Sequence, residues 1–244
     1  MLVRRWLVVL LAAGVLLAAS GPVGAADLLA QGLAAQKAGK HEEAVQVLGR
    51  YLAKHPKSGE ARLARATSLN ALKRRDEARK ELDLGLKAHP QHSALLLAKG
   101  KLIAENGKYP EAIAVITQAL KADPKNAETL KERAEAYTQE GNLEDALKDL
   151  NQAVTFAPKD PWGYFKRGMV KFSLGDFQEA VADMTRAIEI NPEGPLFYFA
   201  RGQIYLRHLN DPDKGIADFR EGCRLGHPLC CRELEKFPKE PKKE

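Results

Sequence analysis

Residues 164–192 read YFKRGMVKFSLGDFQEAVADMTRAIEINP, and this stretch decides the fold. It reads as a helix, a tight turn at Gly175, a second helix and a closing Pro192. Counting backward from Pro192 in steps of 34 residues lands on Pro158, Pro124, Pro90 and Pro56. A strict period of that length marks a stacked repeat protein. Such solenoids usually present a surface and not a reaction centre.

Laid out on this period, the repeats begin at Ala25, Gly59, Ser93, Ala127, Pro161 and Pro195, and other columns fall into line. The eighth position is Gly32, Ala66, Gly100, Ala134, Gly168 and Gly202; the twentieth is Ala44, Ala78, Ala112, Ala146, Ala180 and, after a one-residue slip, Gly215. Small residues recur there because two antiparallel helices cross closely only where no side chain intervenes. The twenty-fourth column supplies the filler, Leu48, Leu82, Ile116, Leu150, Met184 and Phe219. Gly39, Gly107, Gly141 and Gly175 mark the turn inside each hairpin, where a helix C-terminus favours a left-handed residue. Pro110 stands in the first turn of a second helix, where its missing N–H costs nothing. Tyr51 replaces the small residue at position 27 of repeat 1, and Asn210-Asp211-Pro212 carries the extra residue of repeat 6.

These segments, residues 164–192 foremost, resemble the tetratricopeptide repeat (TPR) family over roughly residues 25–228. The resemblance implies an all-α, right-handed α-solenoid of six helix-turn-helix repeats plus a C-terminal capping helix. The low aromatic fraction, 7%, and the abundance of Ala, Leu, Lys and Glu suit an all-helical chain. No useful strand-like alternation occurs.

The first 25 residues do not belong to this frame. Arg4 and Arg5 precede an apolar run from Trp6 to Ala19, followed by Ser20-Gly21-Pro22 and small residues ending at Ala25-Ala26. That order is the order of a secretory signal peptide, with cleavage after Ala25 or one residue later. The run is short for a membrane span, which needs about 20 apolar residues; an uncleaved N-terminal anchor is the alternative. The expected domains are therefore a signal at 1–25, a solenoid with its cap at 26–237 and a disordered Pro/Lys-rich tail at 238–244. The expected location is exported, periplasmic or secreted, with no stable membrane insertion after cleavage. After that cleavage Asp27 would cap the first helix almost at the new N-terminus. Losing Arg4 and Arg5, the only charged residues of the leader, lowers the formal charge from +6 to +4. The remaining charges are interleaved, with no basic stripe, so a nucleic-acid partner is not expected.

All three cysteines, Cys223, Cys230 and Cys231, lie near the C-terminus. Export would put them in an oxidising compartment that favours a structural disulfide. The segment GCRLGHPLCCREL resembles the Cys-to-Cys spacing of eight in disulfide-stapled, cysteine-rich relatives of TPR proteins. That resemblance implies a Cys223–Cys231 bridge fastening the capping helix, with Cys230 left over. A loop this short corresponds to roughly 2–3 kcal/mol. There is no CxxC or CxxCH, and the six histidines show no metal-ligand spacing; no cofactor or metal is expected.

One charge pattern repeats with the frame. Position 7 is Gln31, Arg65, Lys99, Arg133, Arg167 and Arg201, and position 23 is Val47, Glu81, Val115, Asp149, Asp183 and Asp218. Every Arg copy has an acid opposite, while the Gln and Lys copies have Val. The two positions face each other within a hairpin, which predicts the bridges Arg65–Glu81, Arg133–Asp149, Arg167–Asp183 and Arg201–Asp218. The planar guanidinium suits a carboxylate through two parallel hydrogen bonds. A row of Arg open to anionic ligands is the alternative.

By resemblance, ligand positions line the concave groove at about positions 2, 5, 9, 12 and 13 of each first helix. In repeats 1–3 these include Leu29, Leu33, Leu63, Thr67, Asn70, Leu97 and Lys101; repeat 4 offers Lys131, Glu135 and Thr138. Repeats 5 and 6 are aromatic, with Trp162, Phe165, Met169, Phe172, Phe199 and Gln203. The Lys/Asn/Asn/Lys/Arg set of carboxylate-clamp cochaperones is missing. Rigid aromatics with a Met suit apolar peptide anchors, although Phe172 and Phe199 also fit half-buried packing positions. Catalysis would need a nucleophile with a base and an orienter, or paired carboxylates in a cleft; the acids instead alternate with Lys along solvated faces. The expected function is a non-catalytic scaffold or adaptor of the cell envelope that binds a peptide or protein. A structural solenoid acting by self-association or convex-face docking is the alternative.

Overall fold

The computed structural model describes residues 25–237, and the expected leader and tail lie outside them, apart from Ala25. Thirteen helices run in sequence among the described residues. The first helices of the hairpins are α1 (Ala25–Lys37), α3 (Gly59–Ala71), α5 (Ser93–Ala104), α7 (Ala127–Gln139), α9 (Pro161–Leu174) and α11 (Pro195–Arg207). Their partners are α2 (His41–Lys54), α4 (Arg75–Ala88), α6 (Tyr109–Ala122), α8 (Leu143–Phe156), α10 (Phe177–Ile190) and α12 (Pro212–Arg224), and α13 (Pro228–Leu234) closes the stack. Each first helix begins at the residue predicted by the proline period. The architecture is an α-solenoid.

The columns explain the packing. The position-20 alanines are at most 1% exposed, and the position-24 fillers are at most 2% exposed. A methyl group on Gly100 would meet Ile116 Cγ1 at 2.4 Å, and one on Gly202 would meet the Phe219 ring at 2.8 Å. Small at one position and large at the facing one is thus a steric requirement. Four of the hairpin turns close on a left-handed glycine, Gly39, Gly107, Gly141 and Gly175, with φ between 72 and 89°. The other two hairpins put Lys73 and Asn210 in the left-handed region instead. Each proline of the ladder follows a residue whose amide closes the last helical turn, such as His89 N to Gly85 O at 2.9 Å.

Asp27 departs from expectation. Helix α1 starts two residues earlier, at Ala25, so Asp27 stands in its first turn and not at its cap. The flanking alanines are strong helix formers and extend the helix past it, while a carboxylate in the first turn still complements the helix dipole.

The first helices also approach one another directly, α1 to α3, α3 to α5, α5 to α7 and α7 to α9, which sets them along the inner, concave face. Helices α9 and α11 approach less closely than these. No helix among the described residues is long and apolar enough to cross a membrane.

Candidate functional site

The four Arg–acid pairs form. Arg133 Nε and Nη2 each donate to Asp149 at 2.7 Å. Arg167 donates to Asp183 at 2.9 and 2.6 Å, and Arg201 to Asp218 at 2.9 and 2.7 Å. Glu81 accepts from Arg65 and also from Arg62, the latter at 2.6 Å. Asp149, Asp183 and Asp218 are all buried. The Arg row is therefore committed to the fold.

Three of the four struts do more than the sequence reading assigned to them, whereas Arg65 faces Gly49 at the corresponding place, which offers no side chain. The free Nη1 of Arg133 donates to Thr117 Oγ1, that of Arg167 to Asn151 Oδ1 and that of Arg201 to Thr185 Oγ1, at 2.8 to 3.0 Å. All three acceptors occupy position 25 of the preceding repeat. Lys99, which faces Val115 in its own hairpin, turns wholly backward to Asp83 at 2.7 Å, again at position 25. The guanidinium thus braces one hairpin and stitches it to the one before. The signal was the polar column Asp83, Thr117, Asn151 and Thr185, which a search within single hairpins overlooks.

The polar part of the concave face is also self-paired. Asn70 donates to Glu105 at 3.1 Å, Lys101 to Glu132 at 2.8 Å and Lys166 to Glu135 at 2.8 Å. The Lys131 ammonium lies 2.6 Å from Asp160 and 2.8 Å from Glu128, and the residue is buried. Burial opposes the charge on Lys131, but Asp160 and Glu128 more than offset this and raise its pKa. Lys131 is therefore a structural tie between repeat 4 and the turn before repeat 5. The hydroxyls of Thr67 and Thr138 turn back to the carbonyls of Leu63 and Ala134. Leu29 and Leu33 pack, with Tyr51, against the core cluster of the first repeat, and Leu63 packs against the next; Leu97 is half-buried.

The aromatic end differs. Between α7 and α9 lies a cavity of about 300 Å³, walled by Trp162, Phe165 and Met169, with Glu135 and Lys166 at its rim. A second, of about 210 Å³, lies between α9 and α11 and is lined by Phe165, Met169, Phe172, Leu196 and Phe199, with Gln203 as its polar group. The two share Phe165 and Met169, so they adjoin along the groove. Trp162 is 45% exposed and Met169 40%. Trp162, Phe165 and the buried Phe197 form a mutual cluster with ring centroids 5.2 to 5.6 Å apart. Phe197, absent from the candidates because position 3 faces inward, is the floor that fixes the other two rings. Phe172 packs against Phe177 and His208, and Phe199 stacks on His227 at 4.9 Å, yet both also line the second cavity.

At the cap, Cys223 and Cys231 are joined, with Cα atoms 4.8 Å apart. Cys230 is fully buried, its sulfur against Gly222. Burial pushes its thiol up to about 11. A thiol reagent at pH 8 should therefore leave the native protein unlabelled, and denaturation without reductant should expose one thiol per chain. Labelling of the native protein would contradict this burial.

Three family models match this chain. Two described as "Tetratricopeptide repeat" match residues 35–102 and 97–161, and one described as "TPR repeat" matches residues 168–208. No curated protein matches the sequence significantly. Among solved structures, a chain of the APC/C hetero-tetramer Cut9-Hcn1 superposes with a TM-score of 0.76 at 16% identity; the match covers 89% of this chain but 43% of that one, less than half its length. Pseudomonas aeruginosa pilF gives 0.75 at 15% identity, covering 87% of this chain and 96% of that one. YrrB, described as a TPR protein with an unusual peptide-binding site, gives 0.61 at 16% identity, covering 80% and 100%. At these identities the likeness is one of fold.

Proposed function

We propose, from the premise that this chain is a tetratricopeptide repeat protein and so a protein-interaction scaffold, that its concave face in repeats 5 and 6 receives an apolar segment of a partner protein. The observation that carries this reading is the pair of adjoining cavities sharing Phe165 and Met169. In repeats 2 to 4 the charged groups of the concave face satisfy one another, whereas here large apolar side chains stand open. Exposed, clustered aromatics are the residues that dominate binding energy at protein interfaces. The scaffold is read as non-catalytic. The peptide-binding site attributed to YrrB, a neighbour in fold, supports this reading. The basic, apolar, small-residue order of residues 1–25 supports export, which places the partner in the cell envelope or beyond.

Selection from a displayed peptide library, followed by anisotropy titration of the enriched peptides, tests the site. Trp162→Ala and Phe165→Ala should each weaken the selected peptides by roughly 10- to 30-fold, about 2 kcal/mol. Helical content by circular dichroism should be unchanged, because Trp162 and Phe165 both reach the groove surface and neither belongs to the fully buried core. Undiminished binding by the double variant would place the site elsewhere. Sizing of the free protein separates this reading from self-association: a monomer fits a groove binder and a stable oligomer fits a structural solenoid.

A further inference from the structure

The capping helix repeats the groove columns with changed chemistry. Helix α13 opens with Pro228, as α9 opens with Pro161 and α11 with Pro195. The same offsets therefore align Trp162, Leu196 and Leu229 in the second column and Phe165, Phe199 and Arg232 in the fifth, while Lys236 lies two residues past the end of α13. Each column runs from aromatic or apolar in repeat 5 to exposed cationic or aliphatic at the cap. Arg207, at the end of α11, adds a third cation, 3.9 Å from Glu233.

The acids nearby do not balance this set. Glu233 is buried and accepts from Lys236 at 2.8 Å as well as facing Arg207, so one carboxylate serves two cations. Arg232 is exposed and has no ion pair among the described residues. Glu235, exposed just past the end of α13, is the second acid here, so three cations face two carboxylates. This contrasts with the start of the aromatic zone, where Lys166 is matched by Glu135. The groove is thus apolar in its middle and electropositive at its cap end.

We propose that the occupant of this groove is an acidic, apolar segment: two apolar side chains enter the adjoining cavities, and a carboxylate beyond them meets Arg207, Arg232 and Lys236. This inference rests on the groove reading above and adds its polarity. Packed helices stand about 8–10 Å apart, and three residues of a polyproline-type chain advance about 9 Å. The stations therefore fit an extended segment with an apolar anchor, a second anchor three residues on and an acid three residues further. Both side-chain and C-terminal carboxylates satisfy the cation set.

Labelled, C-terminally amidated peptides with two Phe so spaced, ending in a Glu pair, a Gln pair or a Lys pair, test this by anisotropy against the full protein, in both chain directions. A Gln-pair peptide with a free C-terminus distinguishes a terminal carboxylate from a side chain. The Glu peptide should bind about tenfold more tightly than the Lys peptide at low salt, and the gap should close as salt screens the exposed charges. Arg207→Glu with Arg232→Glu, both on the surface, should invert the order. Equal binding of the Glu, Gln and Lys peptides, lost in the Trp162→Ala/Phe165→Ala variant, would leave the groove standing and overturn its polarity. Failure of every peptide to bind would overturn both.

Discussion

Asp183→Ala is expected to lose about 3–5 kcal/mol of unfolding free energy, although Asp183 lines neither cavity. Asp183 is 4% exposed, and its carboxylate accepts from Arg167 at 2.9 and 2.6 Å, with the Lys171 ammonium 3.1 Å away. Truncation leaves the Arg167 guanidinium without its counter-charge in a place that water reaches poorly, while Lys171 keeps Glu179 at 3.2 Å. Arg167 keeps its cross-repeat bond to Asn151, so the guanidinium cannot swing outward to solvent without breaking that stitch too. The loss therefore contains an unsatisfied charge and not only a missing attraction. Replacing both partners, Arg167→Met with Asp183→Leu, should recover most of it, because an apolar pair of similar volume carries no desolvation penalty. Urea melts of the single and paired variants measure this. A loss near zero for Asp183→Ala would show that the strut is hydrated in the folded protein.

The struts were legible because two columns change together: Arg meets Asp or Glu, and Lys99 or Gln31 meets Val. The cross-repeat half was not, since position 7 is 16 residues from its partner in either direction, forward to position 23 and backward to position 25. Only coordinates show that one guanidinium reaches both. The fold was legible for a simpler reason. Proline, glycine and alanine positions are dictated by backbone geometry and close approach, and a period of 34 repeats those demands six times. Groove residues carry no such demand. Lys131 occupies a ligand column, yet Asp160 in the next turn draws it into the structure, and no column encodes that. Likewise, the aromatic columns named Trp162, Phe165 and Phe199, but whether cavities open beside them depends on how far α9 stands from α11 and on Phe197 beneath.

Phe219→Ala is expected to cost a similar 3–5 kcal/mol, by a different mechanism and with a local outcome. The ring is fully buried and fills the space opposite Gly202, where even a methyl group would come within 2.8 Å of it. The backbones of α11 and α12 touch there, with a methyl on Gly215 3.0 Å from the Gly202 carbonyl oxygen. They cannot close further around a missing ring, so a cavity remains. In a solenoid each repeat contacts only its neighbours, so such a loss falls on the repeat that carries it. Hydrogen exchange should therefore rise in α11 to α13 while α3 to α8 keep their protection. The Phe199 ring lies 6.2 Å from Phe219 and lines the second cavity, so peptide binding should weaken even though Trp162 and Phe165 stay in place. The chain itself suggests the repair. Repeats 2 and 4 pair Ala66 with Leu82 and Ala134 with Leu150, where repeat 6 pairs Gly202 with Phe219. Gly202→Ala with Phe219→Leu should retain more stability than Phe219→Ala alone, because it moves volume from one facing position to the other. Exchange rising evenly through all helices in Phe219→Ala would show instead that the solenoid unfolds as one unit, and the local account would fail.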